Sequence, residues 1–199
     1  VYEARHTQLG RQVAIKQLPQ SFAEDDDVRE RVVAEAQMVA SASWDATVGL
    51  WPLTLDGQSG SAAPIKLCGH RQGVNDVAFS GDGTHLYSAS TDGTIRIWDV
   101  ASGTQIQLLA SHGFGVNKLV LNEADGWLAY GAVDGSTRFI DLQSGDIFKD
   151  ITLERRPILA LAYDHNSSRL AIGDGDGYIM LVDTTDMSIA RDFRATQQG

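Results

Sequence analysis

Apolar and polar residues alternate along most of this chain in short runs, and the runs recur. TVGLWPL, TIRIWDV, STRFIDL and YIMLVDT each begin two residues after an aspartate, Asp45, Asp92, Asp134 and Asp176. The last three aspartates lie 42 residues apart. Alternation with period two predicts half-buried strands, and Asp-Gly pairs between such runs predict tight hairpin turns. In the fullest repeat the pattern predicts strands over Val74–Phe79, His85–Ser90, Thr94–Val100 and Thr104–Leu109, with turns at Ser80–Gly83, Asp92-Gly93 and Ser102-Gly103. A repeat of about 40–45 residues is the mark of blade-type units, each too small to bury its own apolar faces.

Composition narrows the function. The formal net charge of −10 opposes binding to a phosphate backbone, which needs clustered lysine and arginine. A single cysteine, Cys68, rules out an internal disulfide framework. On that charge nucleic acid is not expected as a partner. No apolar run approaches the roughly 18 residues of a membrane span, so no membrane insertion is expected. The single cysteine suits a reducing, cytoplasmic setting or indifference to redox. Val1 opens directly into a strand-like run, VYEARH, with no initiator methionine, as though the chain were cut there.

Gly69-His70, Ser88, Asp92 and Trp98-Asp99 follow one another at the spacing of a known signature. The second repeat resembles the WD-repeat family in these positions. The resemblance implies an all-β, partial and open propeller of about 3.5–4 four-stranded blades. It also implies a structural set in which His70, Ser88, Asp92 and Trp98 hydrogen-bond to tie the blade together. Repeats fall near 38–69, 70–111, 112–153 and 154–199. The first keeps Ser41, Asp45 and Trp51. The third keeps His112 and Asp134 but has Tyr130 and Ile140 where serine and tryptophan stand elsewhere. The fourth keeps only Asp176. The third and fourth are therefore expected to rely on apolar packing. Gln197-Gln198-Gly199 stands three periods after Arg71-Gln72-Gly73, so the run stops where a further blade is expected to begin. Uncovered blade edges of this kind imply self-association.

Residues 1–37 do not belong to the repeat. VYEARHTQLG and RQVAIKQL predict two strands across Leu9-Gly10, and Val28, Val32, Ala36 and Val39 predict one face of a helix that starts at Asp25-Asp26-Asp27. Val13-Ala14-Ile15-Lys16, followed 19 residues later by Glu35, resembles the amino-terminal lobe of a bacterial-type serine/threonine protein kinase. In that family the lysine contacts ATP phosphates and pairs with the glutamate, and Val1 matches the valine closing the glycine loop. The catalytic loop, the metal-binding Asp-Phe-Gly and the carboxyl-terminal lobe have no counterpart, so Lys16 and Glu35 read as remnants of a cofactor site. ATP and magnesium are expected only in an intact parent kinase; this chain is expected to carry no cofactor and no catalytic residue.

Other candidates are weaker. Asp174, Asp176 and Asp183 do not have the spacing of a calcium loop, and His6, His70, His85, His112 and His165 lie at no zinc-like spacing. Trp44, beside a turn aspartate, and Phe114 and Arg156, 42 residues apart in loops that lead into a blade, are candidates for a partner-binding rim. The expected function is a protein- or peptide-binding scaffold or targeting module within a kinase–propeller signalling protein. The alternative is a piece of an active serine/threonine kinase.

Overall fold

The computed structural model describes residues 2–6, 11–15, 38–52, 64–152 and 156–194. Lys16, Glu35, the expected helix from Asp25, Val1 and the last three residues lie outside that set. Every regular element among the described residues is a strand, joined in four antiparallel sheets.

The first sheet runs β1 (Tyr2–His6), β2 (Arg11–Ile15), β3 (Met38–Ala42), β4 (Thr47–Pro52), β5 (Ile65–Cys68). The second holds β6 (Val74–Phe79), β7 (His85–Ser90), β8 (Thr94–Asp99) and β9 (Gln105–Ser111). The third holds β10 (Val116–Asn122), β11 (Trp127–Ala132), β12 (Ser136–Asp141) and β13 (Ile147–Thr152). The fourth holds β14 (Ile158–Asp164), β15 (Arg169–Asp174), β16 (Tyr178–Asp183) and β17 (Ser188–Arg194). Within each sheet strands adjacent in sequence pair, and in the second, third and fourth sheets turns of three to five residues join them.

The strand boundaries match the periodicity closely in the second sheet, with two differences: the third strand stops at Asp99, one residue before the expected Val100, and the fourth is shifted. The expected fourth strand at Thr104 starts at Gln105 and runs on to Ser111. Thr104 is instead spent on the turn, its carbonyl accepting from Asp99 N–H at 2.9 Å.

The hairpin expected at residues 1–37 is present as β1 and β2, with Tyr2 opposite Ile15 and His6 opposite Arg11. Its second strand also pairs with β3, Val13 opposite Ser41 and Ile15 opposite Val39. β2 and β3 both run alongside β6, as β10 and β11 run alongside β14. Arg11–Ile15 thus occupies the innermost strand position of the first blade, and β1 adds a fifth strand beyond it.

The chain divides into two compact units, Val1–Ser90 with Ile95–Leu109 and Thr91–Thr94 with Ala110–Gly199. In the first, Ala40, Val48, Leu50, Val74, Phe79, Leu86 and Trp98 form one core. In the second, Trp127, Phe139, Ile158, Leu170, Ile172 and Val182 form another. The central strands β7 and β11 are buried along nearly their whole length. In the second unit the close approach is achieved by a missing side chain. A Cβ on Gly131 of β11 would sit 2.4 Å from Ile158 Cγ2 of β14.

Candidate functional site

The site is built from the turns that follow each second strand. In three of them an aspartate side chain accepts both the N–H and the hydroxyl of the residue two places on. Asp45 takes Thr47 at 3.0 and 2.6 Å, Asp92 takes Thr94 at 2.9 and 2.6 Å, and Asp134 takes Ser136 at 3.0 and 2.7 Å. These bonds favour the charged carboxylate. Thr47 is the main cause of the lowered pKa of Asp45. At Asp134 burial raises the pKa, but Ser136 and His112 outweigh it and the net shift is downward. The next residue must adopt a left-handed backbone: Gly93, Gly135 and Gly177 have φ of 80, 88 and 79°, and Ala46 has 68°. In the fourth turn Tyr178 replaces the hydroxyl residue, and Asp174 takes over, accepting the N–H groups of Asp176 and Tyr178 at 2.9 Å each.

Behind the turns lie the polar sets. In the first sheet Trp51 Nε1 donates to Ser41 Oγ at 2.9 Å. Gly49 makes room for that bond, since a Cβ there would lie 2.8 Å from Ser41 Oγ and 2.9 Å from Trp51 Nε1. In the second sheet Ser88 Oγ receives Trp98 Nε1–H at 2.8 Å and bonds His70 Nε2 at 2.7 Å, all three residues being buried.

The third sheet was expected to depend on apolar packing; Trp127, Ala129, Phe139 and Ile151 do supply such a core, but a polar set stands beside it. His112 Nε2 faces Asp134 at 3.0 Å, while Arg138 Nη1 donates to His112 Nδ1 at 2.7 Å. Arg138 Nε donates to Asp150 at 2.7 Å, and Tyr130 Oη lies 3.5 Å from His112 Nδ1. The imidazole is therefore turned relative to His70, whose Nε2 faces the strand serine. In the fourth sheet Ile172 and Val182 fill the serine and tryptophan positions and are wholly buried. A separate latch joins the loop to the turn there: Arg156 Nη1 lies 3.0 Å from Asp176 and 3.9 Å from the buried side chain of Asp174.

The rim is formed where these turns meet the loops that enter each first strand. In the first unit Trp44 is 87% exposed, on a turn clamped by Val74 N–H donating to Ser43 O at 2.9 Å. In the second unit the loop 111–115 is held from two sides. His112 N–H donates to Gly93 O at 2.7 Å, and Val133 N–H donates to Gly115 O at 2.9 Å. Phe114, 57% exposed, projects from that loop with its ring 6.1 Å from the His112 ring. Arg156 is half-buried in its ion pairs. Asp183 lies at the other end of β16, accepting from Thr185. Among the described residues no His, Cys, Asp or Glu group has metal-binding geometry, and no helix is long and apolar enough to cross a membrane.

Residues 63–99, which span His70 to Trp98, match the family model for the WD domain, G-beta repeat. Over 79% of this chain the structure superposes on half of the WD40 β-propeller domain of Doa1, with a TM-score of 0.67 at 20% identity. The fold is that of a WD40 β-propeller. In sequence, 72 residues are 38% identical to the small ribosomal subunit protein RACK1 of Glycine max, and 68 residues are 40% identical to RACK1z of Arabidopsis thaliana. These stretches cover 36% and 34% of this chain, and 22% and 21% of those proteins. The chain thus matches about a fifth of the length of these relatives.

Two residues of this WD40 rim escaped the sequence reading. Val133, 39% exposed, holds the same place before a turn aspartate that Trp44 holds. Arg138 was passed over because an isolated arginine in a strand reads as a solvent-facing residue; its partner Asp150, 12 positions on, was the available signal.

Proposed function

We propose that this chain is a protein- or peptide-binding module that works as a scaffold, with contacts made by the rim loops of each unit. The observation that supports the reading is the presentation of large apolar side chains on clamped turns. Trp44 in one unit and Phe114 in the other stand exposed on backbone fixed by short hydrogen bonds. Burying such a ring on a partner costs little further ordering, and aromatic residues are the usual interface anchors. No cofactor enters this reading, and a cytoplasmic setting accords with it. Selection of peptides from a random display library on the full chain, followed by calorimetry, tests it. Trp44→Ala or Phe114→Ala should weaken the selected peptides at least about tenfold, that is by about 1.4 kcal/mol, with unchanged thermal melts. Binding indifferent to both substitutions would overturn the rim.

The finer reading, that residues 1–37 derive from a kinase amino-terminal lobe in a longer kinase–propeller signalling protein, rests on the Val13–Lys16 and Glu35 likeness. We propose no phosphotransferase activity for the chain itself, since the base and metal ligands have no counterpart. Phosphate transfer to a generic substrate that Lys16→Ala abolished would refute this.

A further inference from the structure

We propose that Arg138 is a positioning residue for the Phe114 loop: it fixes the proton of His112 on Nε2, and that tautomer ties the loop to the Asp134 turn. A guanidinium has only donors and does not lose its proton in proteins. Its Nη1 lies 2.7 Å from His112 Nδ1, so Nδ1 must offer a lone pair. The ring proton then sits on Nε2, where it donates to Asp134 Oδ2 at 3.0 Å. Asp134 is itself immobilised by Ser136 N–H and hydroxyl, and Asp150 holds Arg138 through its Nε at 2.7 Å. The chain of bonds runs from β13 through β12 and the loop to the β11–β12 turn without a break.

Its effect reaches the surface because His112 and Phe114 belong to the one short loop between β9 and β10. His112 is buried, and its own N–H is spent on Gly93 O. The space beneath is tight: a Cβ on Gly93 would stand 2.3 Å from His112 O and 3.1 Å from Phe114 O. A small rotation of His112 must therefore carry Phe114 with it. In the second sheet the corresponding arginine, Arg96, donates to Gln105 Oε1 at 2.6 Å, and Ser88 bonds His70. In the third sheet tyrosine stands in the serine's place and Asp150 holds the arginine.

The role at the rim rests on the binding reading above; the tautomer does not, so the two fail separately. Long-range proton–nitrogen spectra of the full, nitrogen-labelled chain should show His112 as the Nε2–H tautomer. A proton resident on Nδ1 would overturn the proposal. Arg138→Met should release the fixed tautomer and raise amide exchange at His112 and Val133 by about tenfold or more, with Leu128 and Phe139 unchanged. Where that variant does not fold, Asp150→Asn, which frees the arginine while leaving it present, should raise the same two amides by a smaller factor. Exchange at His112 and Val133 that follows the core amides in step would mean a merely structural role, and would refute the positioning claim.

Discussion

The second and third sheets share strand order, turn geometry and a histidine at the same place, yet they fasten that histidine differently. In the second sheet a small serine sits between His70 and the indole of Trp98. In the third, Tyr130 fills the serine's place and Ile140 the tryptophan's, so the hydroxyl bridge is gone. A buried imidazole without partners costs roughly 1–3 kcal/mol, and Arg138 with Asp150 supplies the missing partner. The lesson is that a blade requires its loop histidine to be satisfied rather than one particular set of residues to do it.

The largest break in this comparison should come from the indole. Trp98→Ala removes a fully buried ring and takes from Ser88 one of its two side-chain partners, and is expected to cost about 3–5 kcal/mol. Ile140→Ala, at the same place in the third sheet, leaves only an apolar gap and should cost about 2–4 kcal/mol. Equal shifts in denaturant midpoint would show that the serine–tryptophan bond adds nothing to packing.

A hydroxyl deletion sharpens the point. Ser88→Ala strands His70 Nε2 and Trp98 Nε1 in the core, at about 2 kcal/mol. Tyr130→Phe removes a hydroxyl that is 3.5 Å from His112 and hydrogen-bonds Arg138; with Arg138 and Asp134 still holding His112, it should cost only about 1 kcal/mol. A large effect in the tyrosine variant would show that Arg138 has not replaced the hydroxyl.

Acid should separate the two sheets as well. Burial alone would raise the Asp82 pKa, but the Ser80 hydroxyl and the Thr84 N–H and hydroxyl outweigh it and bring it down to about 2. Its folded value lies below its unfolded one, so its contribution is complete above the unfolded value of 3.8 and fades as pH falls toward about 2. The matching turn of the third sheet pairs Asn122 Nδ2 with Asp125 instead. Asp82→Asn should flatten the loss of stability between those two pH values in acid titrations followed by circular dichroism; an unchanged curve would contradict the assignment.

The smallest effect is a gain. Ala46 holds a left-handed backbone where the other turns use glycine, so Ala46→Gly should stabilise the chain by up to about 1 kcal/mol, seen as a raised Tm. A lower Tm would show that Ala46 is held there by packing.

The repeat, its strands and its turns were legible in the chain because they are local. Alternation with period two places strands, and an aspartate two residues before a threonine or serine makes a turn from its own side chain. His70, Ser88 and Trp98 were legible for a related reason, since each sits at a set distance from a turn. What only the tertiary structure decided are the bonds between residues that no short-range rule connects. Arg138 meets Asp150 because β12 pairs with β13 in that register, and Arg156 reaches Asp174 and Asp176 across a loop and a strand. The strand Arg11–Ile15 was legible as a strand, but its place beside β3 was not. Alternation states which residues face a sheet; an open strand edge accepts any partner that reaches it in register, and only the folded chain decides which strand does.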